Sequence, residues 1–270
     1  MAATLDEVSV GGLRIAYVCK GEGQPLVLLH GGFGLDHRSW GPQIDGLSDE
    51  FCVVAWDAPG TGRSSDPPDH FGLPDYADCL AGFLDAVGIE RAHVMGLSYG
   101  GGLALELYRR HPRIPCSLVL AGAYAGWAGS LPPAVVQARL ARLLGEMERP
   151  PAEWIPGYLP GLLTDNAPAT MVEELTSLML DIRPAAAAIM LWGFAEADLR
   201  EVLPRIAVRT LVRHAERDER APLPVAEELH KNIPGSVLVV LPGVGHASSW
   251  EDPVQFNQAV RSFLRSVPSR

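Results

Sequence analysis

The segment His93-Val-Met-Gly-Leu-Ser98-Tyr-Gly-Gly101 decides how this chain is read. A short apolar run leads into it, and Gly101 to Arg110, with apolar residues at helical spacing, leads out. A serine at such a junction sits on a sharp strand-to-helix turn, its backbone strained and its hydroxyl projecting above the sheet. Glycines flank it because side chains there would collide with the neighbouring strand and helix. The start of the new helix also presents unpaired N–H groups and a positive dipole end to any developing oxyanion. Ser98 is therefore the candidate nucleophile, and the Tyr99 N–H a candidate oxyanion donor.

Working outward, the same alternation recurs. Val8–Val10 and Arg14–Cys19 read as a hairpin turned by Gly11-Gly12. Pro25–Leu29, Phe51–Trp56, His93–Met95 and Ser117–Leu120 read as strands, with helices at Tyr76–Val87 and Gly101–Arg110. Strand, helix and strand in succession imply crossover units and a mostly parallel sheet, whose chemistry gathers at the carboxyl ends of the strands. The rhythm stops between about Tyr124 and Leu203, where Pro132-Pro133, Pro150-Pro151, Pro156, Pro160, Pro168 and Pro184 punctuate Ala-, Leu- and Met-rich stretches. That block predicts several short helices and no strand. Strands resume at Arg209–Arg213 and Val237–Leu241, with helices at Val225–Lys231 and Pro253–Leu264. The expected organisation is a core of residues 1–123 and 204–270 with an inserted helical cap over 124–203.

A serine needs a base within hydrogen-bond reach. Of eight histidines, His246 stands in Gly243-Val-Gly-His246, just past the strand Val237–Leu241, on a loop at the carboxyl edge. His30 and His214 end strands and read as a loop brace and a packed residue. The base in turn needs a carboxylate to fix its tautomer. His214-Ala-Glu216-Arg-Asp218-Glu219 follows a strand end, and Asp218, with a short side chain past that end, is the preferred acid; Glu216 is the substitute. The glycine-rich His30-Gly-Gly-Phe-Gly34 would supply a second oxyanion N–H from Gly32, with Phe33 as the alternative. It lacks the Lys-Ser/Thr of a phosphate loop, and no G-x-G-x-x-G follows, so nucleotide binding is disfavoured.

With these residues in place, the chain resembles the α/β-hydrolase superfamily over nearly its whole length. Four signatures match in order: His30-Gly31-Gly32, Asp57-Ala-Pro-Gly60-Thr-Gly62-Arg-Ser64, the serine elbow, and Gly245-His246. The succession Ser98, Asp218, His246 is the order of that family. The resemblance implies a mostly parallel twisted sheet flanked by helices with an inserted helical lid. It also implies that Asp57–Ser64 is a structural turn rather than catalytic. Family members of similar length include carboxylesterases, enol-lactonases, carbon–carbon bond hydrolases, acyltransferases and cofactor-free haloperoxidases. One departure stands out: the family usually has Gly after the position of His214, and here Ala215 occupies it. Dehalogenases and epoxide hydrolases of the family usually carry Asp where Ser98 stands.

Composition narrows the function classes. The 270 residues are 47% hydrophobic and 20% charged, as in a globular chain. With 22 Lys and Arg against 32 Asp and Glu, the net charge of -10 opposes binding to nucleic acid or anionic membrane. No basic start followed by an apolar run opens the sequence, and the apolar stretch Ala185–Phe194 is too short to span a bilayer. Cys19, Cys52, Cys79 and Cys116 are widely spaced, with no paired zinc motif, and read as buried thiols in a reducing cytoplasm.

The expectation is thus a cytoplasmic serine hydrolase, free of metal and cofactor, cleaving an ester, thioester, lactone or activated carbon–carbon bond of a small, mainly apolar molecule. Transfer of the acyl group to another acceptor, or a small-molecule receptor with vestigial hydrolysis, are the alternatives. Trp127, Trp154 and Trp192 fall in the inserted block, with two possible jobs: packing its helices or lining, with Phe33, the pocket over Ser98. Oligomeric state is not legible.

Overall fold

Gly11 and Gly12, with φ of 56° and 86°, turn the chain between β1 (Thr4–Val10) and β2 (Leu13–Lys20), so that Val10 faces Leu13 across a two-residue hairpin. Positive φ at both positions is what such a turn demands, and only glycine adopts it without strain. The structure, a computed structural model, describes residues 4–32 and 34–268. Six more strands extend the sheet: β3 (Gln24–Leu29), β4 (Phe51–Trp56), β5 (Ala92–Leu97), β6 (Pro115–Ala121), β7 (Arg209–Ala215) and β8 (Val237–Leu241). Their order is β1-β2-β4-β3-β5-β6-β7-β8. β2 pairs antiparallel with both neighbours, and every pair from β4 to β8 is parallel.

The chain therefore leaves β3 to one side to form β4, then crosses back to form β5 on the other side. A sheet whose winding reverses there opens a crevice beyond the carboxyl ends of β3 and β5. Both loops singled out from the sequence, Gly31-Gly32 and Ser98, leave those two ends.

Helices cover both faces. Along β3, Leu26 and Leu28 pack with Ile44 and Leu47 of α1 (Gly41–Leu47) and with Phe256, Val260 and Phe263 of α10 (Pro253–Arg265). Val27 and Leu29 point the other way, into the core that holds Leu80 and Phe83 of α2 (Leu73–Ala86) and Leu103 and Leu107 of α3 (Tyr99–Arg110). This period of two with both sets buried is what a central parallel strand requires. α8 (Leu223–Asn232) and the short α9 (Ser248–Glu251) complete the core.

Between β6 and β7 the proline-punctuated block folds as α4 (Pro133–Met147), α5 (Pro151–Tyr158), α6 (Ala169–Met179) and α7 (Pro184–Glu196). Three of these helices begin on proline, and α6 follows Pro168. The first helical turn needs no N–H partner, and proline's fixed φ suits it. No single described helix is long and apolar enough to cross a membrane.

The cysteines depart from expectation. Only Cys79 is buried; Cys19, Cys52 and Cys116 are half-buried. Cys52 and Cys116 do lie in strands, but each is the second residue of its strand, and Cys116 lines a surface cavity at the amino edge of the sheet. Cys19 and Cys52 lie with their Sγ atoms 3.5 Å apart, and burial, then the Cys52 neighbour, pushes the Cys19 thiol up to about 11.

The turn after β4 is held by one carboxylate. Asp57 is fully buried; its Oδ1 accepts from His37 N (2.9 Å) and pairs with His37 Nδ1 (2.7 Å), while Oδ2 accepts from Arg63 N (3.0 Å). Burial alone would lower the His37 pKa, but the hydrogen bond and charge of Asp57 outweigh it and leave it raised. Burial likewise pushes Asp57 up, yet His37 and the backbone donors bring it below its ordinary value. A raised histidine stabilises fully below its unfolded pKa of about 6.5 and loses that contribution as pH rises through the folded value. A depressed Asp contributes above about 4 and loses its share as pH falls. Urea unfolding at stepped pH should accordingly show wild type losing more stability from about pH 6 to 9 than His37→Gln does. Equal slopes would mean that the pair carries no charge.

Candidate active site

Ser98 is the sole non-glycine residue with positive φ among those described, at φ 54° and ψ -111°. Its neighbours explain how this strained backbone is tolerated. A Cβ on Gly100 would overlap the carbonyl oxygens of Leu29 and His30, and one on Gly96 would overlap the backbone of Gly100 and Gly101. On Gly101 it would strike Ala123. β5, α3, β3 and the loop after β6 thus pass too close for side chains, and the turn at Ser98 tightens accordingly.

The Tyr99 N–H opens α3 and has no intrahelical acceptor. Gly32 lies against the same residue, since a Cβ there would sit 3.3 Å from Tyr99 Cβ. Neither N–H donates to any acceptor among the described residues. The Gly31-Gly32 loop is fixed by buried His30. Ala58 N donates to His30 Nε2 at 3.1 Å, which leaves Nδ1 as the protonated nitrogen, donating to the Gly31 carbonyl at 2.6 Å. Desolvation lowers the pKa of this histidine and keeps it neutral. Phe33 lies outside the described residues.

His246 Nδ1 and Asp218 Oδ2 are 2.7 Å apart, with both side chains almost wholly buried. Oδ1 of Asp218 accepts from Arg220 N and Ala221 N, each at 2.8 Å. Burial favours the protonated acid, but the charge and hydrogen bond of His246 and the backbone donors outweigh it, so the Asp218 pKa falls below the ordinary carboxylate value. An ionised Asp218 accepting from Nδ1–H leaves Nε2 with its lone pair free. Glu216 is elsewhere: its Oε2 accepts from Gly243 N at 2.8 Å and braces the histidine loop from outside. His214 is buried and packed, and its Nδ1 has no partner among the described residues.

Gly122, just past β6, was not singled out from the sequence. Its φ is +50°, and a Cβ would come within 3.0 Å of His246 Cε1 and 3.3 Å of Asp218 Oδ2. It makes room for the imidazole–carboxylate pair. A glycine ending an apolar strand was the available signal, but nothing in sequence shows which side chains will arrive there.

Ser98, Tyr158 and His246 line two adjoining cavities. One, of about 50 Å³, is walled by Leu35, Leu97, Leu162, Leu175 and Met179. The other, of about 270 Å³, takes Tyr124, Trp127, Arg139, Phe194 and Arg220. Ser98 Oγ makes no hydrogen bond among the described residues, and such contacts are often long without substrate. A roomier cavity of about 500 Å³, near Leu131, Arg200 and Glu228, contains none of these groups.

Of the tryptophans, Trp127 lines the larger Ser98 cavity. Trp154 is buried edge-on to Tyr158, 5.7 Å between ring centroids, and belongs to the packing of α5. Trp192 is a correction: it is 46% exposed, on the outer side of α7, whose inward side is taken by Met190, Leu191 and Phe194. Asp36, His37 and Asp57 bring oxygen and nitrogen atoms within 4.8 Å of one another, as a metal would need. Those atoms are already engaged, however, Asp36 by Arg38 and Asp57 by His37 and Arg63.

The chain and its fold have counterparts. The model of the Alpha/beta hydrolase family matches residues 26–259. The chain belongs to that family. RutD of Caulobacter sp. (strain K31), named as a carbamate hydrolase, is 30% identical over 243 residues, 88% of this chain and 90% of that one. A thermophilic esterase from Thermogutta terrifontis superposes with a TM-score of 0.89 at 28% identity, covering 99% of this chain and all of the other. The enol-lactonase of Burkholderia xenovorans LB400 shares the fold, with a TM-score of 0.87 at 24% identity over 97% of this chain and 100% of its own. This member of the alpha/beta hydrolase family is an enzyme, and its relatives include hydrolases of several bond types.

The histidine loop is also tied to the segment between α5 and α6. Glu251 Oε2 accepts from Gly245 N (2.5 Å), and Oε1 from Thr164 N (2.7 Å) and Thr164 Oγ1 (2.6 Å), while Ala247 N donates to the Leu162 carbonyl at 2.8 Å. One carboxylate thus satisfies three donors, and each orphaned donor in a partly buried place costs about 1–3 kcal/mol. Glu251→Ala should lower unfolding free energy by about 3 kcal/mol in a denaturant titration. A loss below about 0.5 kcal/mol would show that water replaces the carboxylate without penalty.

Proposed function

We propose that the chain is a serine hydrolase in which Ser98 attacks a carbonyl, His246 is the general base and Asp218 holds the imidazole. The observation that carries this is the single strained serine sharing its cavities with an imidazole whose Nδ1 is taken by a buried carboxylate. His246 Nε2 removes the Ser98 proton as Oγ attacks. The resulting oxyanion receives the N–H groups of Gly32 and Tyr99. The imidazolium, held by Asp218, then protonates the leaving group, and the acyl-enzyme is released by water activated at the same nitrogen. No step needs a metal or cofactor. Esters, lactones, carbamates and activated carbon–carbon bonds all present a carbonyl to such a site, and the related proteins support that range. Tyr158, Leu175 and Met179 come from the inserted helices and Leu162 from the segment between α5 and α6, which supports the role of this block as a cap that shapes the pocket.

A fluorophosphonate should label the protein once, and Ser98→Ala should abolish labelling and reduce turnover by about 10⁶. Labelling that persists at another serine would refute the assignment. Asp218→Asn should keep the fold by circular dichroism yet lower kcat by about 10⁴, because the imidazole takes the wrong tautomer. Should Glu216→Gln produce that loss and Asp218→Asn leave kcat intact, the acid is misassigned.

A further inference from the structure

The larger cavity at Ser98 runs against the charge of the molecule. The chain as a whole carries -10, yet three guanidinium groups, those of Arg139, Arg142 and Arg220, line this cavity against one carboxylate, Glu219. Arg142 is exposed and pairs with Glu146 at 2.9 Å. Arg220 is spent on structure: Nη2 donates to the carbonyls of Tyr158 and Pro160, and its guanidinium lies 4.1 Å from the Tyr158 ring centroid. Arg139 is different. No carboxylate among the described residues pairs with it, and only Nη1 is engaged, donating to Tyr124 Oη and to the Arg220 carbonyl, each at 3.1 Å. Its guanidinium carbon lies 5.9 Å from the Trp127 ring. The Nε–Nη2 edge has no acceptor among the described residues.

One phenol oxygen, one backbone carbonyl and an aromatic neighbour therefore hold a guanidinium in place while its side-on fork stays open. That edge presents two parallel N–H groups with the spacing of a carboxylate, which a point-charge ammonium cannot match. A half-buried cation with no counter-ion among the described residues, in a cavity shared with a nucleophile, is a ligand position held in advance of the ligand. The smaller lobe, by contrast, is aliphatic and admits only a few carbons.

We propose that the substrate bears a carboxylate, seated on the Nε–Nη2 edge of Arg139, with its ring or chain against Trp127, Tyr124 and Phe194 and a short apolar group in the smaller lobe. This rests on the serine-hydrolase reading above and departs from the mainly apolar substrate expected from sequence. It assigns Arg139 as a specificity-determining residue of α4.

Matched phenyl esters test it: 4-acetoxybenzoate and its neutral isostere 4-acetoxybenzamide. Wild type should favour the carboxylate in kcat/KM by about tenfold or more, the preference shrinking with added salt. Arg139→Met should remove most of that preference, mainly through KM, and Arg139→Lys should keep part of it, retaining the charge without the fork. A readout independent of turnover is protection of Ser98 from fluorophosphonate: benzoate should slow labelling of wild type more than benzamide does, and lose that advantage in Arg139→Met. Equal handling of the acid and amide by wild type in both assays overturns the proposal, as does an Arg139→Met variant that loses both substrates in equal proportion. If the fluorophosphonate does not label Ser98 at all, the serine-hydrolase reading fails first; if labelling proceeds without anion preference, only the role of Arg139 fails.

Discussion

The close approach of four backbone segments at Ser98 is the constraint on which the rest of the site depends. β5 must turn into α3 within a residue while the carbonyls of Leu29 and His30 at the end of β3 press from one side and Ala123 after β6 from the other. No side chain fits at Gly96, Gly100 or Gly101, and the one residue that must carry a functional group is left with φ 54°. A backbone in that region persists only where its surroundings over-determine it. Here the surroundings are the parallel sheet itself, with β3 and β6 flanking β5. The Tyr99 N–H, first in α3, has no acceptor among the described residues, and Gly32 lies against Tyr99, so the same turn carries the half-buried serine and the two N–H groups proposed to meet negative charge.

Around this rigid centre, the parts that must be positioned accurately are tied by short polar links rather than by hydrophobic packing. His30 locks the Gly31-Gly32 loop to Ala58, and Asp57 locks the turn after β4. Glu216 and Glu251 hold the histidine loop from its two ends, one through Gly243 and the other through Gly245. Loops at the carboxyl edge have little apolar area to bury, so their geometry is set by satisfying backbone donors. Glu251 does so for the segment between α5 and α6 as well, through Thr164, and makes the histidine loop and part of the pocket wall a single hydrogen-bonded unit.

The two lobes beside Ser98 differ in character because they draw on different elements. The aliphatic lobe is closed by residues of α6 and of the segment after α5, while α4 and the loop after β7 bring the arginines. On the proposed reading, the inserted block supplies both polarity and shape, and substitutions within it would alter which molecule is accepted without touching Ser98, His246 or Asp218.

Much of this was legible in the sequence because it rests on local rules. The Gly11-Gly12 hairpin, the strand bounds at Phe51–Trp56 and Val237–Leu241, and the proline-started helices follow from φ preferences and apolar periodicity acting over a few residues. Ser98 was readable for the same reason, since its glycines are a local record of a long-range collision. Other features could come only from tertiary structure. Asp218 rather than Glu216 faces His246 because β7 and β8 pair in a register that brings their two loops together, and that register is a property of the sheet. Trp192 points outward because of how α7 packs, which a helix hydrophobic all round does not announce, and Trp127 reaches the cavity from the segment between β6 and α4. The open edge of Arg139 is likewise invisible in sequence: whether a surface-type arginine finds a carboxylate, a carbonyl or a ligand depends on what chain segments eighty residues away place beside it.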